Sequence, residues 1–178
     1  MEERLELRMY FFTIYQLTGI QKGIQCGHAA LEYAHKYGNT ELFIEFIENW
    51  KTWVILNGGT TNYDENVEFR GSLNLIYDEL KNNKIDFAYF SEPDLNDAMT
   101  AICFICDERV FNRKDYPDFK NYLLDKMDDD SESHCNIKLL LDDELIEQYP
   151  ESYKEWVRLL GGIKNVYLRN LIRDKKLA

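Results

Sequence analysis

Long apolar runs are missing from this 178-residue sequence: the longest is a handful of residues around Ile102–Cys106, far below the ~20 that cross a bilayer as a helix. No membrane partner is therefore expected. The opening MEERLELR is charged from its second residue and has no apolar core of a secretory signal. Cysteine is scarce and scattered, four in all, which excludes a disulfide framework and makes a reducing cytoplasm the expected location. Histidine is scarcer still. His28 and His35 lie two turns apart on one predicted helix without a third ligand at suitable spacing, so no zinc site or other metal centre is expected. His134-Cys135 falls in an acidic stretch, too sparse to read. The three histidines form no Ser-His-Asp or Cys-His arrangement legible in the sequence.

Basic charge is the other deficit. Twenty-one Lys and Arg face 32 Asp and Glu, for a net charge of −11, and only residues 163–178 are basic, with five cations against one anion. A polyanionic partner ordinarily requires a basic footprint, so the composition weighs against nucleic acid unless a local patch overrides it. What the chain does possess is 45% hydrophobic and 14% aromatic residues. That is enough for one domain with its own core and too much for a disordered chain.

Residues 1–112 alternate strand and helix signals. Leu7–Leu17 reads as a strand buried on both faces. A helix follows from about Gly23 to Tyr37, with Ile24, Gly27, Leu31 and Ala34 as its packing stripe and Gln25, His28 and Glu32 on the opposite face. Thr40 caps a short helix over 41–49. Trp53–Leu56 is a strand and Asn57–Asn62 a loop after it. Ser72–Asn82 is a helix, and Ile85–Phe90 and Thr100–Cys106 are strands on either side of Ser91–Asp97. This alternation implies an α/β sheet with crossover connections. Residues 113–178 change character: helices over 116–127, 137–149, 151–160 and 165–177 are predicted, interrupted by the acidic segment Asp128–Ser133. They read as a helical extension docked on the 1–112 body.

Three clusters carry chemistry. Gln21–Ala30 opens the first long helix, and Lys22 there opposes the helix dipole, which favours a task beyond folding. The alternative is a solvated lysine with His28 packed under a loop. The second cluster, Asn57-Gly58-Gly59-Thr60-Thr61-Asn62, has consecutive glycines whose amides suit an anion-binding nest. It lacks the Lys-Ser/Thr of a P-loop, and an ordinary turn explains it equally. The third, Ser91-Glu92-Pro93-Asp94-Leu95-Asn96-Asp97, offers carboxylates on a proline-stiffened connector beside a sheet edge, against the alternative of plain turn chemistry. Cys103 and Cys106 resemble a redox pair, but three residues apart on a strand they face opposite sides of the sheet.

Taken in order, Lys22, Gln25-Cys26-Gly27-His28-Ala29-Ala30 and the strand–loop–strand of 85–107 resemble the type 2 peptidyl-tRNA hydrolases over about residues 8–112. The wording of QKGIQCGHAALEYA, LNGGTTN, SEPDLNDAMTAI and DERVF is similar to a small phage- and bacterium-encoded branch. The resemblance implies a mixed four-stranded sheet flanked by helices, and metal- and cofactor-free hydrolysis of the ester joining a peptidyl or aminoacyl group to the tRNA 3′ end. Lys22, Gln25 and His28 match the family's Lys, Gln and His. Glu92 or Asp94 stands for its Asp, in a segment shorter than the family's, and Thr100 for its Thr. On this footing Lys22 stabilises developing charge, Glu92 or Asp94 handles a water's proton, and Thr100 and His28 hold the acyl end. Gln25, Asn57, Gly58, Gly59, Thr60 and Asn96 contact substrate. The other expectation is a non-catalytic protein using the same cleft for RNA, a nucleotide or a protein partner, with a homodimer among the options.

Overall fold

The two segments with the longest apolar patterns occupy the two central positions of the sheet. Strands β1 (Leu7–Ile14), β2 (Thr52–Gly59), β3 (Phe87–Glu92) and β4 (Ala98–Asp107) lie in the order β2-β1-β4-β3 in a computed structural model that describes residues 4–62, 70–126 and 137–178. β1 runs parallel to β2 and antiparallel to β4, and β3 is antiparallel to β4. Only central strands are covered on both faces, and Phe11, Phe12, Ile102, Cys103 and Phe104 accordingly have no exposed surface. The fold is mixed α/β with a C-terminal helical region, as the alternation implied.

Helix α1 (Gly19–Tyr37) connects β1 toward β2 and begins earlier than expected. The reason is a capping box: the Thr18 hydroxyl accepts from the Gln21 amide, and the Gln21 side chain accepts from the Thr18 amide at 3.0 Å. Its packing face also differs from the expected one. Gln25, Cys26, Ala29 and Tyr33 are buried, whereas Ile24 and Leu31 are 52% and 69% exposed. The sheet selects small side chains where the helix comes closest, and the Cys103 thiol donates to the Ala29 carbonyl at 3.2 Å. Helical periodicity reports a stripe, but not which of two neighbouring stripes meets the sheet.

Thr40 caps α2 (Glu41–Glu45), its hydroxyl accepting from the Phe43 amide. One wide turn, Phe46–Trp50, continues it and closes on Lys51 in the left-handed region. The 41–49 expectation thus splits into two kinds of helix. Phe46 packs into the core beneath the sheet with Phe43 and Trp50 at its margin. Helix α3 (Ser72–Asn82) matches its expected span and buries Leu73, Ile76 and Leu80.

The glycine segment departs from the loop reading. Asn57, Gly58 and Gly59 continue β2, with a register shift where Ile14 of β1 meets Gly59. Gly59 has φ +82°, and a Cβ there would collide with the Ser72 hydroxyl. Gly59→Ala is therefore expected to destabilise the protein by about 1–3 kcal/mol, the usual cost of a side chain in such a backbone conformation. A lowered urea midpoint with unchanged slope would show it.

The chain gathers into two units, Met1–Asp107 with Asn170–Ala178, and Glu108–Arg169. Within the first, the end of the chain is extended rather than helical: the Asn57 amide donates to the Lys176 carbonyl at 2.9 Å and the Ala178 amide to the Ile55 carbonyl at 3.0 Å. The second contains α4 (Glu108–Phe111), α5 (Phe119–Leu124), α6 (Asp142–Gln148), α7 (Pro150–Leu159) and the beginning of α8 (Ile163–Arg173). Several of these are shorter than expected, because Pro117 and the extended Asp118 delay the start of α5 and Leu141 precedes α6 in extended form. Phe119, Leu123, Ile137, Leu145, Trp156, Leu160 and Val166 form that unit's own apolar core. The acidic segment Asp128–Ser133 and His134-Cys135 lie outside the described residues. No helix among the described residues is long and apolar enough to cross a membrane.

Candidate functional site

Three residues far apart in sequence meet between α1 and the β3–β4 pair. Gln25 sits one turn after Lys22 on the sheet-facing side of α1, Glu92 ends β3, and Thr100 lies near the start of β4. The Thr100 hydroxyl donates to the Gln25 Oε1 at 2.6 Å, and the Gln25 Nε2 donates to the Glu92 Oε2 at 2.6 Å. Thr100 is fully buried and Gln25 nearly so. A buried amide is tolerable only when both its ends are engaged, and a hydroxyl donor at one end with a carboxylate at the other admits a single orientation. The Glu92 carboxylate is consequently held in place on a half-buried strand end.

Phe90 completes the group. Its carbonyl lies 3.4 Å from the Thr100 hydroxyl, and its ring stacks on the His28 imidazole at 4.5 Å between centroids. The sequence reading missed Phe90, although its place two residues before Glu92, on the strand leading into the acidic connector, was a usable signal. Lys22 is half-buried in the first turn of α1, and residues three apart on a helix share a flank, so Lys22 and Gln25 are neighbours. Gln25, Glu92 and Thr100 are thus brought together, with His28 beside them through Phe90.

The remaining expected site residues have other surroundings. Asp94 is exposed in a short 3-10 turn, Pro93–Leu95. Asn96 and Asp97 follow with φ of 55° and 58°, the left-handed conformation their short polar side chains tolerate. They reverse the chain between β3 and β4. In the glycine segment the amides are already engaged: Gly59 donates to the Asn57 Oδ1 at 2.8 Å, and Thr60 to the Ser72 hydroxyl at 2.9 Å. The Ser72 hydroxyl in turn donates to the Gly58 carbonyl at 2.8 Å. These contacts anchor the end of β2 to the start of α3, and they engage two of the amides that an anion nest there would use.

On the other flank of α1 lies an apolar groove of about 690 Å³ lined by Ile24, His28, Leu31, Phe46, Ile47 and Trp53. Among the described residues no cluster of three or more His, Cys, Asp or Glu is placed to hold a metal ion. The described thiols are buried, and burial pushes Cys26 up to about 12 and Cys103 and Cys106 well above the usual 9.0. Cys103 faces the α1 side of the sheet and Cys106 the other, as strand parity requires. A thiol with a raised pKa holds its proton more tightly in the folded chain. Its contribution to stability is complete below pH ~9 and falls as the pH rises from there toward 12, because the unfolded chain loses the proton first. Denaturant midpoints are therefore expected to drop between about pH 9 and about pH 11, and the native thiols to react with a disulfide reagent only after unfolding.

No family model and no curated protein matches this chain.

Proposed function

We infer that the protein hydrolyses the ester bond of peptidyl- or aminoacyl-tRNA. The observation that carries this reading is the Thr100–Gln25–Glu92 hydrogen-bonded chain, which orients a carboxylate against Gln25, one helical turn from both Lys22 and His28. Ester hydrolysis needs a group to take a proton from the attacking water and a positive group for the oxyanion. Glu92 suits the first role and Lys22 the second. Exposed Asp94 is the weaker choice of base, because nothing comparable directs it. Gln25 and Thr100 act through Glu92 as positioning residues, and His28 on Phe90 forms a flat wall for the acyl end. On this reading the protein works in the cytoplasm without a cofactor.

The test is acyl release from N-acetyl-aminoacyl-tRNA by the wild type, Lys22→Ala and Glu92→Gln. Turnover by the wild type that both substitutions abolish supports the hydrolase. No turnover from folded wild type at any salt concentration rejects it.

A second reading, a non-catalytic binding protein, is favoured by the apolar groove beside His28 and by the Gly59 and Thr60 amides, which are already bonded within the protein. It expects tight binding without turnover, weakened by substitutions in the groove and untouched by Glu92→Gln.

A further inference from the structure

A sheet of four strands has two edges, and this molecule treats them differently. The β2 edge is covered at Ile55–Asn57 by the chain's own last residues. Along the outer side of β3 no backbone segment pairs among the described residues. An open edge presents unpaired N–H and C=O groups, and proteins usually cover or blunt it. Here it forms the floor of a groove of about 640 Å³, walled by Glu32, His35 and Lys36 of α1 on one side and Tyr77 and Lys81 of α3 on the other. Tyr89, in the middle of the strand, is 43% exposed.

We propose that this edge pairs antiparallel with β3 of a second copy of the chain, joining two four-stranded sheets into one of eight strands. The Lys36 ammonium lies 3.5 Å from the Phe87 carbonyl, which marks the Phe87 backbone as facing outward. Alternation along an antiparallel strand then turns Tyr89 outward and Phe90 toward β4, as the approach of the Phe90 carbonyl to Thr100 requires. A register shift between Phe90 and Ser91 ends the regular stretch. The usable edge is Phe87–Phe90, and a two-fold axis at Ala88 sets Phe87 opposite the partner's Tyr89.

Charge selects a second copy over an unrelated strand. α1 runs antiparallel to β3: Gln25 meets Glu92, His28 meets Phe90 and Lys36 meets Phe87. At about 1.5 Å per helical residue and 3.3 Å per strand residue, Glu32 stands level with Tyr89. An axis at Ala88 therefore brings Lys36 of each copy opposite the partner's Glu32, twice. A chain of net charge −11 repels its own copies, so a self-complementary patch at an open edge is a specific feature. The assembly does not depend on the catalytic reading.

Sedimentation velocity of the full chain across micromolar concentrations tests it. The wild type is expected at twice the 21.2 kDa chain mass. Lys36→Glu replaces two opposite-charge pairs with two like-charge pairs and should weaken the dimer by about tenfold or more. The swap Glu32→Lys with Lys36→Glu should restore it. Both positions are exposed, so folding is not at issue. Tyr89→Pro removes an outward donor and should give a monomer with an unchanged circular dichroism spectrum. A monomeric wild type overturns the proposal, including one that takes up only a foreign extended peptide. So does a dimer indifferent to both Lys36→Glu and Tyr89→Pro, or a loss that the charge swap fails to restore.

Discussion

Glu92→Gln is expected to lower acyl release from N-acetyl-aminoacyl-tRNA by a factor of about 10²–10⁴, the usual contribution of a positioned proton acceptor. The substitution keeps the shape of the side chain. Its amide oxygen still accepts from the Gln25 Nε2, so the Thr100–Gln25 bond survives and the fold loses only the charge-assisted part of one contact, about 1 kcal/mol. What disappears is the capacity to take a proton. A thermal midpoint close to wild type, measured on the same preparation, separates this chemical loss from unfolding. Thr100→Val should behave differently: it leaves the buried Gln25 oxygen without its donor, and so should lower stability and turnover together. Equal turnover by wild type and Glu92→Gln would remove Glu92 from the mechanism.

The second large effect lies in the other unit and concerns stability. The Arg169 side chain has no exposed surface; its Nε donates to Asp118 at 2.8 Å, its Nη1 to the Arg109 carbonyl at 3.0 Å and its Nη2 to the Tyr116 carbonyl at 2.6 Å. One guanidinium thus ties the start of α4, the turn before α5 and α8 together. Arg169→Met fills similar volume but withdraws three donors at once. Removing one partner of a fully buried ion pair costs about 3–5 kcal/mol. Asp118 keeps 27% of its side-chain surface exposed and also accepts from Arg113 at 3.3 Å, so about 2–4 kcal/mol is expected. Hydrogen exchange of the amides in α5 and α7 should accelerate accordingly, while exchange in β1 and β4 changes less. Arg169→Lys should recover little, because an ammonium cannot present the planar fork these acceptors meet.

That arginine was read from the sequence only as part of a basic C-terminal stretch. Charge counting treats all cations as solvated, and nothing local distinguishes Arg169 from Arg173 or Lys175. The same limit applies to the stripe on α1. Ile24 and Leu31 are the stronger hydrophobes, yet Cys26, Ala29 and the amide of Gln25 face the sheet, because close approach and available partners outweigh side-chain hydrophobicity there. The glycine segment misled for a related reason: consecutive glycines signal a loop, whereas here they let β2 pass close beneath Leu73 and Ser72.

The family resemblance put Gln25, Glu92 and Thr100 in one candidate site; the sequence pattern by itself determined the alternation of strands and helices, the span of α3 and the burial of β1 on both faces. These follow from local periodicity and from side-chain chemistry, which a linear pattern carries. The tertiary structure alone decided that Gln25 points inward to join Thr100 to Glu92, that the Gly59 and Thr60 amides are bonded within the protein, and that the chain's last residues cover one sheet edge while no described backbone segment pairs with the other. Each depends on contacts between residues tens of positions apart, whose geometry is set by how helices and strands pack and not by any segment's own preferences.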